Sequence, residues 1–215
     1  MRWLVALVIS TNFVISVNVA AASGEKAGDF DYYVLSLSWS PNWCDLEGSA
    51  RNSEQCQPGR GFGWVLHGLW PQYKTGWPSY CPTATPPPSR AQSGAMADIM
   101  GTGGLAWYQW KKHGTCSGLS ATQYYATARR AFDAVNRPPI FRKLDKPVKL
   151  PASVIEEAFL RANPGWEKDM LTITCKAGRI QEARLCLTKD LDPTICGRDV
   201  RRDCSLPGAL FAPLQ

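Results

Sequence analysis

Apolar and polar residues alternate along "FDYYVLSLSW", Phe30 to Trp39. Tyr33, Leu35, Leu37 and Trp39 fall on one face, with Ser36 and Ser38 on the other. A period of two predicts a strand with one face in the core, and Pro41 stops it. Within "GWVLHGLWPQY" a short apolar run, Trp64 to Leu66, predicts a second strand. His67 stands at its end, where Gly68 and Pro71 break the regular structure. Residues 45–61 are polar and Gly-rich and read as a loop. Residues 74–95, with a Pro-Pro-Pro run, read as a longer one. The period then lengthens. Helical signals lie at Ala97 to Met100 and Leu105 to Lys112. In "TQYYATARRAFDAV" Tyr125, Ala128, Phe132 and Val135 recur at helical spacing. Ser153 and Glu156 have the spacing of a capping box for a further helix. "MLTITC" and "RIQEARLCL" alternate again and predict two strands. No internal repeat and no linker divides the chain. Irregular mixing of strands and helices predicts one α+β domain.

At 215 residues and 45% hydrophobic, the chain is long and apolar enough for a proper core. Its start reads as an export signal over residues 1–22. Arg2 is followed by apolar runs, and Ala20-Ala21-Ala22 is a cleavage site before Ser23. The competing reading is a membrane anchor. The Ser-Thr-Asn break at 10–12 shortens the apolar run below the roughly 20 residues a spanning helix needs. The remainder, 23–215, has no segment able to cross a membrane. All eight cysteines follow the signal, and an even count in an exported chain implies disulfides. There is no Cys-x-x-Cys pair and there are two histidines, so no metal site and no cofactor are expected. No Asn-X-Ser/Thr acceptor occurs, in keeping with a periplasmic or extracellular destination. Formal charge is +6, and loss of Arg2 with residues 1–22, which carry no acid, leaves +5. That suits an anionic partner. A monomer is the default expectation.

The chemistry gathers around the two histidines. His113 sits in "WKKHGTC", Trp110 to Cys116, behind two lysines whose charge opposes its protonation. Both His67 and His113 are followed by glycine and stand beside aromatic residues. Two imidazoles can serve as base and acid near neutral pH. Lys112 adds a cation suited to an anionic transition state, as in phosphoryl transfer. With a basic surface and stacking aromatics, RNA is the natural substrate, because its own 2′-hydroxyl can attack the phosphorus. A Cys–His thiol protease is the competing reading. It needs a free thiolate, and every cysteine has a plausible disulfide partner.

"HGLWPQY" and "WKKHGTC", their histidines 46 residues apart, resemble the two active-site segments of the ribonuclease T2 family. "FDYYVLSLSWSPNWC" is similar to that family's first core strand, and the resemblance runs from about Phe30 to Cys204. It implies an α+β domain with a mainly antiparallel central sheet flanked by helices and stapled by disulfides. It implies an endoribonuclease, working without a metal, that cleaves RNA through 2′,3′-cyclic phosphate ends and leaves DNA uncut. His113 would be the general base and His67 the general acid. Lys112 would stabilise charge on phosphorus, and Trp70 would stack on the base upstream of the cut. The family's cysteine pattern implies Cys175–Cys204 with Cys186–Cys196 nested inside, and Cys81–Cys116, which leaves Cys44 with Cys56.

The chain departs from the family at four places. The second segment usually reads His-Glu-Trp before the lysine, and here it reads Tyr108, Gln109 and Trp110. A Tyr108 hydroxyl can still donate to phosphate. Gln109 can hydrogen-bond a phosphate oxygen but cannot carry charge or shuttle a proton. Loss of one such contact would cost about 2–4 kcal/mol of transition-state stabilisation if nothing compensated. Gln72 stands where an acid is often found and Ser38 where a glutamine often is, which implies broad base preference. The alternative reading is a non-catalytic RNA-binding relative that kept the fold.

Overall fold

The computed structural model describes residues 25–215; the export signal of 1–22 and its cleavage point lie outside the described residues. The first strand, β1 (Tyr32–Trp39), is central and pairs antiparallel with β2 (Trp64–Gln72) on one side and β5 (Arg179–Leu187) on the other. α1 (Ser40–Trp43) begins where Pro41 ends β1, since proline suits the first turn of a helix. Four helices follow β2: α2 (Arg90–Gly94), α3 (Ala97–Met100), α4 (Gly103–Lys112) and α5 (Ala121–Ala134). The chain returns through β3 (Val148–Leu150), α6 (Ala152–Ala162), β4 (Leu171–Lys176), β5 and finally β6 (Ala209–Phe211). The sheet order is β2-β1-β5-β6-β3, with β4 pairing the other edge of β5. All pairs are antiparallel except β5 with β6, which meet in parallel at Arg179 and Leu210. The result is an α+β fold on a mixed, mainly antiparallel sheet.

The inward face of β1 builds the core as its alternation predicts. Leu35, Leu37 and Trp39 are fully buried. Trp39 stacks on Phe211 at 4.3 Å between ring centroids, Trp64 lies 5.2 Å from Trp39, and Phe159 5.3 Å from Trp64. The Trp39 indole N–H donates to the Ala212 carbonyl at 2.9 Å, satisfying the polar handle that makes tryptophan costly to bury. The other face of β1 is not a solvent face. Tyr32 and Val34 are buried under Cys186, Cys196 and Val200, and Ser36 is buried as well. A second small apolar cluster, brought by the C-terminal segment, covers what period-two reasoning assigned to water.

Several local expectations need correction. β2 does not end at His67: it runs through Gly68 to Gln72, with Pro71 opposite Tyr33. β2 is an edge strand, so a proline without a donor is tolerated. The 45–61 segment holds a π-helical turn, Cys44–Gly48, and a 3₁₀ turn, Glu54–Cys56. The 74–95 segment ends in α2, capped by Ser89 and Gln92, whose side chains each bond the other's backbone N–H. α5 carries the same reciprocal cap, Ser120 with Gln123, and buries Tyr125, Ala128 and Phe132 on one face. α6 lacks the expected Ser153–Glu156 box. It starts two residues earlier with Pro151 in the cap position and no side-chain cap bond. A proline there orders the entry without an oxygen acceptor.

Four disulfides join Cys44–Cys56, Cys81–Cys116, Cys175–Cys204 and Cys186–Cys196, leaving no free cysteine among the described residues.

Candidate active site

The site forms where β2 faces α4, and a defect in the sheet aims the first histidine. Leu66 pairs with Leu37 and Gly68 with Ser36, so His67 has no partner on β1. This is a β-bulge, which turns the side chain of its extra residue out of the regular pleat. His67 remains one-third exposed. Its Nδ1–H donates to Oε1 of Glu182 at 2.5 Å. Glu182 comes from the middle of β5, opposite Ser38 and Thr174, and is 1% exposed. Its other oxygen, Oε2, accepts from Nε of Arg184 at 2.8 Å and from Nη2 of Arg184 at 2.7 Å. Burial raises the Glu182 carboxyl, but the bonds and charges of His67 and Arg184 outweigh it and hold the group near about 2.

α4 carries the second half. Its N-terminus is closed by Thr102, whose hydroxyl accepts from the Leu105 N–H at 3.1 Å. Ala106 and Trp110 anchor its inner face. One turn before its end come Tyr108 and Gln109, then Lys112, and His113 is the C-cap residue. Placing Lys111 and Lys112 in the last turn suits the negative end of the helix dipole. His113 is 5% exposed, and its Nδ1 is buried without a hydrogen-bond partner. Burial, then the charge of Lys112 and His67, lowers its pKa to about 3. The ring is therefore neutral across ordinary pH, as the lysines in the sequence foretell, although burial and not Lys112 is the larger cause.

Trp70 ties the halves together. Its indole N–H donates to Oε1 of Gln109 at 2.7 Å. Its ring stacks on His113 at 5.2 Å and 27° and meets His67 edge-on at 5.3 Å. The Arg184 guanidinium lies 5.4 Å from the same ring. A Cβ on Gly68 would overlap both Gln109 Oε1 and Trp70 Nε1, so only glycine fits in the bulge beside them.

One cavity of about 380 Å³ collects seven of the residues singled out in the sequence, His67, Trp70, Gln72, Tyr108, Gln109, Lys112 and His113, but not Ser38. Gln72 is nearly buried, and its amide donates to the Pro71 carbonyl at 3.0 Å. Tyr108 is exposed, with its hydroxyl 3.3 Å from that of Tyr80. A neighbouring cavity of about 520 Å³ shares His67 and Tyr108 and is lined on its far side by Ser38, Trp43, Arg51 and Lys176.

Motif reading missed Glu182, Arg184 and Trp77. Trp77 follows the first motif on the loop after β2, is half exposed and lines the smaller cavity. Glu182 and Arg184 left a signal: in "RIQEARLCL" they share one face with Ile180 and Cys186, and charge inside a core strand needs a reason.

A family model described as the ribonuclease T2 family matches residues 30–204. The chain belongs to the ribonuclease T2 family. A ribonuclease of Aeromonas hydrophila is 45% identical over 107 residues, which is 50% of this chain and 46% of that one. A probable ribonuclease of Haemophilus influenzae is 35% identical over 120 residues, 50% of this chain and 44% of that one. The chain thus spans about half the length of these curated relatives. Ribonuclease DdI of Dictyostelium discoideum is 24% identical over 216 residues, covering 87% of this chain and 88% of the relative. Among solved structures, an RNase-related protein from Calystegia sepium shares the fold at a TM-score of 0.63 and 19% identity, covering 86% of this chain and 97% of that one. The S-like ribonuclease trichomaglin does so at 0.63 and 21%, covering 86% and 98%. At these identities the T2 ribonuclease structures speak for the fold.

Proposed function

We propose that this protein is an endoribonuclease that cleaves RNA by transphosphorylation, without a metal ion. One observation carries the reading: two histidines face one cavity from opposite walls in opposite environments. His113 is buried, without a charged acceptor and beside Lys112. His67 is half-buried and bonded to an ionised carboxylate. Environments that separate two titratable groups in this way assign base and acid.

His113 takes the proton from the ribose 2′-hydroxyl as O2′ attacks phosphorus. The P–O5′ bond breaks, and Nε2–H of His67 protonates the departing O5′. The products are a 2′,3′-cyclic phosphate and a 5′-hydroxyl. With roles reversed, His67 activates water to open the cyclic phosphate to a 3′-phosphate. Lys112 stabilises charge on the phosphorane oxygens. Gln109 gives its Oε1 to Trp70, which leaves its amide N–H₂ as the end that donates to a phosphate oxygen; the exposed Tyr108 hydroxyl supplies another donor. Trp70 and Trp77 offer ring surface to the upstream base. Gln72 is folded onto the Pro71 carbonyl beside it, in keeping with broad base preference. Export to the periplasm or exterior accords with four disulfides. No helix among the described residues is long and apolar enough to cross a membrane.

The test is a gel assay of the purified protein on a short RNA in EDTA, with His113→Ala alongside. Wild type should leave 2′,3′-cyclic ends, and the variant none. A deoxy oligonucleotide should survive, since it lacks the nucleophile. Silence of wild type across about pH 4 to 8, with RNA affinity retained, would instead mark a binding protein on this fold.

A further inference from the structure

The second motif lacks a carboxylate at Gln109, yet a carboxylate reaches the acid–base pair from another element. Glu182 lies inside β5 with 1% of its surface exposed. A carboxylate so buried persists only when its oxygens are paired and hydrogen-bonded. Oε1 is bound by the His67 Nδ1–H at 2.5 Å, and Oε2 by the Arg184 guanidinium at 2.7 and 2.8 Å. Arg184 stands two residues further on the same strand face, which lets it close back on Glu182.

We propose that Glu182 is the positioning residue of the general acid, holding the His67 ring so that Nε2 faces the leaving oxygen, with Arg184 holding Glu182 in turn. This rests on the reading of His67 as that acid. His67 needs such a partner because of where it sits. It is the unpaired residue of a bulge, and its packing against Trp70 is edge-on. That contact does not decide which nitrogen points outward. A bond from Nδ1 does decide it, by fixing tautomer and ring orientation together. The acid form carries protons on both nitrogens. Glu182 accepts one, and the other passes to O5′. The neutral ring left behind keeps its Nδ1–H on Glu182, so its lone pair is on Nε2, where the hydrolytic step needs it. The pair also sits at the wall between the two cavities, Glu182 lining the larger and Arg184 the smaller. An RNA strand crossing from one to the other passes the nitrogen that Glu182 aims.

The experiment varies the leaving group. A ribose 5′-alkoxide must be protonated as it departs, whereas 4-nitrophenoxide leaves unaided. kcat/KM is measured for a dinucleoside phosphate and for uridine 3′-(4-nitrophenyl phosphate), with wild type, Glu182→Gln, Glu182→Asp and His67→Ala. Glu182→Gln should lower dinucleotide cleavage on the order of 10²-fold and the nitrophenyl ester less than about tenfold. Glu182→Asp keeps the charge but withdraws it by one methylene, and should shift the ratio in the same direction by less. His67→Ala should shift it further. Glu182→Gln in the His67→Ala background should leave the ratio where His67→Ala put it. Partial unfolding cancels in this ratio, because both activities scale with the folded fraction. Equal loss on the two substrates would make Glu182 a structural residue and overturn this proposal alone. Inactivity of wild type on both would overturn the endoribonuclease reading, and this proposal with it.

Discussion

His113 shows how one side chain is prepared by its surroundings. Its ring is sealed between Trp70 and the end of α4, with Nδ1 unpartnered. Burial, helped by Lys112 and His67, brings its pKa from 6.5 to about 3. The unfolded chain therefore binds a proton near pH 6.5 that the folded chain refuses until about 3. Between those values stability falls as pH falls. The full difference is on the order of 5 kcal/mol, reached only near the lower limit. Above 6.5 the group makes no pH-dependent contribution. Urea unfolding of wild type and His113→Gln at pH 7, 5 and 4 checks this. Wild type should lose more stability than the variant between the first and last, and parallel losses would contradict it. The histidine and its flanking lysines were legible as a chemical cluster. The burial that dominates the shift was not, because it comes from Trp70 folding over from another strand.

At the scale of elements, the site depends on a bulge. β2 continues through Gly68 and Pro71, where local propensity ends it, because an edge strand needs ladder bonds on one side only. The extra residue is His67, and Gly68 leaves room for the Trp70–Gln109 bond. Gly68→Ala should break that bond by driving a methyl between its partners. The expected cost is about 1–3 kcal/mol of stability. Displacement of Trp70 from His113 should also lower RNA cleavage on the order of 10²-fold. A variant with wild-type activity at full stability would remove the steric argument. The bulge has no sequence period of its own: "VLHGLW" reads as an interrupted strand until β1 supplies the register. Likewise α2 was hidden in a proline-rich stretch, although its Ser89–Gln92 cap had the standard spacing. The Ser153–Glu156 spacing was equally good and formed no cap, because Pro151 set the helix start.

Across the whole molecule, the disulfides hold segments that the sheet does not. Cys81–Cys116 closes 35 residues and joins the loop after β2 to the turn that follows His113. The Cys116 N–H donates to the His113 carbonyl at 3.0 Å, so the bridge braces the backbone of the proposed base. Replacing both cysteines by alanine should cost about 2–5 kcal/mol. It should depress RNA cleavage beyond the loss of folded protein. Thermal unfolding and activity per folded molecule measure the two effects separately. The Cys186–Cys196 bridge acts elsewhere, laying the C-terminal segment over Tyr32 and Val34.

The sequence by itself determined the strands of alternating residues, the amphipathic face of α5, an even set of cysteines able to pair, and a cluster of two histidines with Lys112 and aromatic neighbours. These are written in local periods and in residue types, and local periods survive without knowledge of partners. Only the tertiary structure decided that β1 is buried on both faces, that His67 is bulged, and that Glu182 and Arg184 stand behind it. The bulge depends on the register of β1 against β2, and the others on the pairing of β1 with β5, more than a hundred residues further along the chain. A carboxylate 115 residues from His67 becomes its neighbour only when β5 pairs with β1.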